Sequence, residues 1–139
     1  MKFLEEKLEK QYGKEITKEI IEGYQAKRKT TLRINTIKSN IEEIKNELEK
    51  EKIEYETVKW SKEALIIKNA DEKKIQEMEI YKNGKIYLQS LSSMLPPIIL
   101  KPKEGTDILD MAAAPGGKTT QIAALTNNKA HITACEKNK

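Results

Sequence analysis

Apolar residues recur every four positions at the start of the chain, with Leu4, Leu8 and Tyr12 aligned and Gly13 placed where a helix would end. A second helix is expected to follow, carrying Ile16, Ile20 and Tyr24 on one face. From residue 31 the period drops to two: TLRINTI puts Leu32 and Ile34 on one face and Arg33 and Asn35 on the other. Ser39-x-x-Glu42 has the form of a capping box for a helix that turns Ile41, Ile44 and Leu48 inward. YETVKW and ALIIK read as strands separated by Ser61-Lys62-Glu63, and Asp71 opens a short helix through Met78. EIYKNGKIYLQ reads as a hairpin, because Asn83-Gly84 can supply the positive φ angles of a two-residue turn.

The order over residues 31–88 is therefore strand, helix, strand, strand, helix, strand, the ferredoxin-like topology of many RNA-recognition modules. That topology also carries many unrelated activities. No segment has the glycine- and phenylalanine-rich strand on which such modules stack bases. SLSSMLPPIILKPKEG then separates two regions, with Ser92 or Ser93 as the cap of a short helix and Pro96 in its first turn. Pro102 and Gly105 mark a turn into TDILDMAA, a buried-type strand. The expected fold class is α/β: an α+β domain over residues 1–100, then over 101–139 an incomplete Rossmann-like domain showing its first strand, helix and strand. Two strands of a parallel sheet that further strands would normally bury are expected to be partly uncovered.

Composition changes this picture little. Charged residues make up 35% and hydrophobic residues 37%, but the apolar periodicity indicates a folded chain rather than disorder. The net charge of +4 permits a polyanionic partner without requiring one. KRKTT at 27–31 reads as a solvated turn in preference to a phosphate-contacting patch. A single cysteine, Cys135, excludes an internal disulfide and points to a reducing compartment. With His131 alone it cannot build a zinc site, so no metal is expected. The N-terminus has no apolar signal core, and no run approaches the roughly 18 apolar residues of a membrane span. A soluble, cytoplasmic protein with no membrane partner is the expectation.

The chemistry lies in LDMAAAPGGKTTQIAAL, residues 109–125. Its Gly117-Lys118-Thr119 ending is that of a phosphate-binding loop, but the pattern needs a glycine where Ala112 stands. Pro115 also removes an N–H from the would-be cradle. The segment reads instead as the strand, tight turn and helix that open a Rossmann-like unit. A second strand, AHITACE, ends at Glu136, 18 positions beyond Lys118. An acidic residue so placed accepts hydrogen bonds from ribose hydroxyls. Gly116 and Gly117 let a ligand approach the backbone, and the helix N-terminus offers N–H groups to a carboxylate. Adenosine joined to an amino-acid carboxylate describes S-adenosylmethionine. The absence of G-x-G-x-x-G argues against a nicotinamide cofactor.

LDMAAAPGGKT followed by ACE, with LRINTIK and GKIYLQSLSSMLPP upstream in the same order, is similar to the Sun-type RNA cytosine-5 methyltransferases, which include bacterial ribosomal RNA enzymes. The resemblance covers most of residues 30–139. It implies methyl transfer from S-adenosylmethionine to carbon 5 of a cytosine in RNA, with ribosomal RNA as the expected partner. It places Ala112, Ala113, Ala114, Pro115, Gly116, Gly117 and Lys118 around the methionine part of the cofactor, and Glu136 on its ribose. Asp110 would orient the loop, meet the cofactor's amino group, or serve structure alone. Gln89 and Ser93 match a motif of that family and would equally cap and join elements.

Members of that family continue beyond this region to two cysteines, one adding to cytosine carbon 6 and the other assisting release. Cys135 stands where neither occurs and is expected to be a small buried strand residue. No catalytic residue is therefore assigned, and this N-terminal portion alone is expected to be inactive. The competing readings are a non-catalytic RNA-binding module carried by residues 1–100, and a P-loop hydrolase, which Ala112 and Pro115 disfavour.

Overall fold

A computed structural model describes residues 2–26 and 28–137, and the change of hydrophobic period falls where helix gives way to sheet. Helix α1 (Lys2–Gln25) is broken at Gly13, whose φ of 79° and ψ of 170° divide it into the two helices expected. Their apolar faces are not covered: Tyr12, Ile16 and Tyr24 are exposed, while Thr17 is buried and donates to the Gly13 carbonyl at 2.7 Å. Of the turn expected at 27–31, Lys27 lies outside the described residues, and Arg28 and Lys29 are exposed.

The chain then forms β1 (Thr31–Ile34), α2 (Ile41–Lys50), β2 (Tyr55–Val58), β3 (Ser61–Ile67), α3 (Glu72–Glu77), α4 (Glu79–Lys82) and β4 (Ile86–Leu88). The sheet runs β2-β3-β1-β4 with every neighbour antiparallel, which is the ferredoxin-like arrangement the sequence predicts. One face packs Leu32, Ile34, Leu65, Ile67 and Ile86 against Ile44 and Leu48 of α2 and Ile75 of α3. Each such fully buried aliphatic side chain contributes about 1.5–3 kcal/mol through removal from water.

Three local expectations are corrected. The cap of α2 is Asn40, not Ser39: its side chain accepts from the Glu43 N–H at 2.9 Å, and Ser39 Oγ instead donates to Glu43 Oε2 at 2.6 Å. The motif is shifted by one residue because Asn40 has the extended backbone a cap requires, with φ −127° and ψ 167°. The turn between β2 and β3 is Lys59-Trp60, and Ser61, Lys62 and Glu63 belong to β3. The hairpin around Asn83-Gly84 does not form. Asn83 has φ −81°, so the pair lacks the two positive angles of that turn. Gly84, at φ 68°, ends α4 with a pair of closing bonds, Gly84 N–H to the Tyr81 carbonyl and Lys85 N–H to the Ile80 carbonyl, each at 2.9 Å. Strand β4 pairs with β1 instead.

The second face of this sheet is also covered. Helix α5 (Leu91–Leu100) lays Met94 onto Val58 and Ala64, with Ile66, Leu91 and Ile98 around them. Its cap is Ser90, which accepts from Ser93 N–H at 3.3 Å, rather than Ser92 or Ser93. Pro96 and Pro97 lie beyond the first turn. Pro97 has no N–H to offer the Ser93 carbonyl four residues earlier, and the Gln89 amide supplies that bond at 3.1 Å.

Beyond α5 come β5 (Asp107–Asp110), α6 (Gly117–Leu125) and β6 (His131–Ala134). Strands β5 and β6 pair in parallel around the crossover helix, as a Rossmann-like opening requires, and α6 packs on α5. Strand β5 has the apolar composition of a buried strand but is partly uncovered, as expected of two strands without further neighbours: Leu109 is 57% exposed and Met111, just beyond it, 78%. A parallel sheet is normally covered on both faces, and this one has two strands with open faces.

Candidate functional site

The chain leaves the sheet at Asp110, and the N–H groups of Ala112, Ala113, Ala114 and Gly116 in the next turn are each held by a neighbour. Asp110 is buried; its Oδ1 accepts from Ala112 N–H at 3.1 Å and its Oδ2 from Thr119 Oγ at 2.6 Å. These two bonds fit the loop-orienting role, one of those left open for it. Ala113 N–H donates to the Cys135 carbonyl at 3.1 Å, and Cys135 N–H to the Asp110 carbonyl at 2.8 Å, so the β5–β6 ladder runs on into the loop. Ala114 N–H donates to Glu136 Oε2 at 3.1 Å. The Ala114–Pro115 peptide is cis. Gly116, at φ 102°, donates to the Ala113 carbonyl at 2.6 Å and leads into α6. That positive φ is one a side chain would strain.

Ala112 to Lys118 and Glu136 are thus brought together in one place. The amides of Gly117, Lys118 and Thr119 precede the first intrahelical bond of α6, donated by Thr120 to the Gly116 carbonyl at 2.9 Å. The surroundings of Gly117 and Cys135 add to this, and the second corrects an expectation. Gly117 does not open onto a vacant surface on its Cβ side: a Cβ there would meet Gln89 Cδ at 3.4 Å and Tyr87 Cε1 at 3.5 Å. On that side Gly117 packs at van der Waals distance on Tyr87 of β4 and on Gln89 just beyond it. Cys135 is exposed, not buried, because it follows a strand that α6 covers only in part.

A set of polar residues joins the two sheets. Arg33 and Tyr87 are register partners on the second face of the first sheet, with the guanidinium 5.8 Å from the ring centroid. Arg33 is 3% exposed. Its Nε donates to Gln89 Oε1 at 3.0 Å and its Nη2 to Thr120 Oγ at 3.0 Å. Arginine has only donors, which fixes the Gln89 amide: its nitrogen gives to Gln121 Oε1 at 3.0 Å, and the Gln121 nitrogen to the Met94 carbonyl at 3.0 Å. Tyr87 Oη donates to the Pro115 carbonyl at 2.8 Å. Burial pushes the Arg33 pKa down to about 10, against the opposing pull of Tyr87 and Glu63, so the group is charged at neutral pH.

Gln89 joins elements as one of its open readings had it, and Ser93 contributes its carbonyl. Arg33, Tyr87, Thr120 and Gln121 were not singled out from sequence as site residues. The signal available was a run of polar positions at strand spacing in LRIN and IYLQ, but nothing in those segments says that α5 and α6 cover them.

The donor set fits an adenosine amino acid. Three helix-start amides and the Lys118 ammonium suit a carboxylate. A carboxylate such as that of Glu136 has about four acceptor sites and suits vicinal hydroxyls. Among the described residues no group of three or more His, Cys, Asp or Glu is placed to hold a metal, and no helix is long and apolar enough to cross a membrane.

Comparison with known proteins agrees with this arrangement. Residues 2–72 match the family described as Methyltr_RsmF/B-like, ferredoxin-like domain, and residues 97–139 match 16S rRNA methyltransferase RsmB/F. The chain is 50% identical over 105 residues to a tRNA (cytosine(49)-C(5))-methyltransferase of Pyrococcus abyssi, covering 75% of this chain and 33% of that one. It is 36% identical over 139 residues to the 25S rRNA (cytosine-C(5))-methyltransferase nop2 of Schizosaccharomyces pombe, covering 99% of this chain and 23% of that one. A solved methyltransferase homolog protein from Pyrococcus horikoshii superposes with a TM-score of 0.77 at 34% identity, over 88% of this chain and 40% of that one. The chain therefore spans 33% and 23% of the lengths of these two curated relatives.

Proposed function

The chain belongs to the RsmB/F methyltransferase family, and on that premise we propose that it carries two parts of an RNA cytosine-C5 methyltransferase. Residues 1–100 are the RNA-side domain and residues 101–139 the opening of the cofactor-binding domain. The family implies a methyl donor; the finer reading is S-adenosylmethionine, which supplies an electrophilic methyl group on a sulfonium. The observation that carries it is the 3.1 Å bond from Ala114 N–H to Glu136 Oε2. It sets an acidic strand end against a loop that closes on unpaired helix-start amides. Gly117 to Thr119 and Lys118 would take the carboxylate, Glu136 would accept from the ribose, and Asp110 keeps the turn in shape.

The P-loop reading has less support, since the amides of Ala112, Ala113, Ala114 and Gly116 are engaged within the chain and Pro115 has none. A base-stacking role for the first sheet also loses ground, because α5 occupies the face such modules use. Ribosomal RNA, named in the family matching residues 97–139, is the substrate we propose, and transfer RNA is the competing outcome. A reducing, cytoplasmic setting suits the single cysteine.

Titrating S-adenosylmethionine into the isotope-labelled chain should shift the amide resonances of residues 112–114 and 116–118. Glu136→Ala should weaken binding about tenfold or more, since a hydrogen bond to a charged group contributes about 1.5–3 kcal/mol. Unchanged affinity removes Glu136 from the site, and tight ATP binding on the loop reinstates the hydrolase. Carbon 5 of cytosine needs a thiolate added at carbon 6 before it attacks, so these 139 residues alone should incorporate no label from the radiolabelled cofactor into unmodified ribosomal or transfer RNA. Incorporation abolished by Cys135→Ser would overturn that expectation.

A further inference from the structure

The loop's outer side faces solvent, but its inner side rests on the ferredoxin-like sheet. Tyr87 and Gln89 occupy alternate positions running out of β4, so both point to the same face, and Arg33 of β1 lies beside Tyr87 in register. Tyr87 reaches the Pro115 carbonyl, Gln89 lies against Gly117, and Arg33 reaches Thr120 in the first turn of α6. Thr120 Oγ is itself 2.8 Å from the Gly116 carbonyl, so the chain of contacts from Arg33 returns to the loop. Successive points on one short stretch, Pro115, Gly117 and Thr120, are thereby fixed to one rigid sheet.

The anchoring is costly to build. A guanidinium removed from water must be compensated by hydrogen bonds, and Arg33 meets amide and hydroxyl oxygens and a ring face. A surface turn needs no such arrangement, and the rest of the β5–α6–β6 unit is sparsely packed. Without the sheet behind it, the 111–117 turn is held by bonds to Asp110, Cys135 and Glu136, by the one between Gly116 and Ala113, and by those from Thr120 to the Gly116 and Gly117 carbonyls, all within that sparse unit.

We propose that Tyr87 and Arg33 are positioning residues, through which the ferredoxin-like sheet holds the glycine loop in its ligand-ready shape. They touch neither the proposed cofactor nor the reacting base; they act through Pro115, Gly117 and α6. The cofactor part of this inference rests on the proposed function of the loop, whereas the ordering of the loop by the sheet does not.

Amide hydrogen exchange separates the two. Tyr87→Phe keeps the ring against Gly117 and removes only the bond to the Pro115 carbonyl. It should raise exchange at Ala113, Ala114 and Gly116 about tenfold while leaving Leu65 and Ile34 in the sheet unchanged. Arg33→Lys keeps the charge but not the forked donors, and should raise exchange at Thr120 and in the loop. In both variants affinity for S-adenosylmethionine should fall several-fold. Loop exchange equal to that of the parent in both variants overturns the inference, whatever the cofactor does. Raised loop exchange in a chain that never binds S-adenosylmethionine supports the positioning role and sinks the cofactor reading alone.

Discussion

The two sheets of this protein solve the burial problem in opposite ways. The four-stranded sheet is covered on both faces, by α2, α3 and α4 on one and by α5 on the other, and Leu32, Ile34, Ile44, Leu48 and Leu65 are wholly inaccessible. The two-stranded sheet covers neither face fully: α6 contributes buried Ile122 and Ala124, while Leu109 and Met111 lie in water. The first sheet is held chiefly by apolar packing. The second takes its order from polar anchors reaching across from the first. A region that binds a ligand needs exposed backbone, and exposed backbone cannot be stabilised by a core of its own. The neighbouring domain supplies the rigidity.

The largest effect that would test this contrast is in the cores. Leu65→Ala should cost about 2–5 kcal/mol in a denaturant titration, as large-to-small changes in tight cores do. Leu109→Ala, on an open face, should stay within about 0.5 kcal/mol. Equal losses would mean that the second sheet packs as tightly as the first. A smaller effect is expected at Asp110, whose carboxylate satisfies both Ala112 and Thr119. Asp110→Ala should cost about 1–3 kcal/mol, read as faster exchange confined to residues 107–134 with the first sheet unmoved. Exchange rising evenly through both sheets would show one cooperative unit instead of two.

The smallest effect is electrostatic and belongs to the first domain alone. Hydrogen bonds from Lys85 and Ser39 hold the Glu43 carboxyl below its usual value of 4.5. A carboxyl depressed on folding stabilises the folded state above its unfolded pKa, and that contribution is lost as pH falls through the folded value. Thermal melts of the parent and Glu43→Gln should therefore differ slightly at neutral pH and converge below pH 4.5. A constant difference across the acid range would show that the ion pair with Lys85, at 2.6 Å, adds nothing.

Much of the fold and of the candidate site is legible in the sequence. The strand and helix order of the first domain follows from period-two and period-four spacing, and the loop from Ala112 to Lys118 with Glu136 beyond it is identifiable as one site. The errors are local and have local causes. Asn83-Gly84 suits a hairpin and a helix end equally well, and the choice falls to Ile80 and Tyr81, whose carbonyls accept the closing bonds. Ser39 and Asn40 are both good caps, and only backbone angles distinguish them. Cys135 has the composition of a core strand around it, but a strand is buried only when other elements cover it.

What the sequence determined by itself is whatever rests on neighbours along the chain: periodicity, glycines at positive φ, and the spacing of an acidic strand end from a glycine loop. What the tertiary structure alone decided is the fate of polar side chains on the sheet's second face. Arg33 lies 87 positions from Thr120, and Gln89 lies 32 from Gln121. Whether such a group is solvated or buried depends on an element that arrives from far along the sequence. A charged residue on a strand is written the same way in either case, because desolvation is a property of the assembled fold and not of the residue.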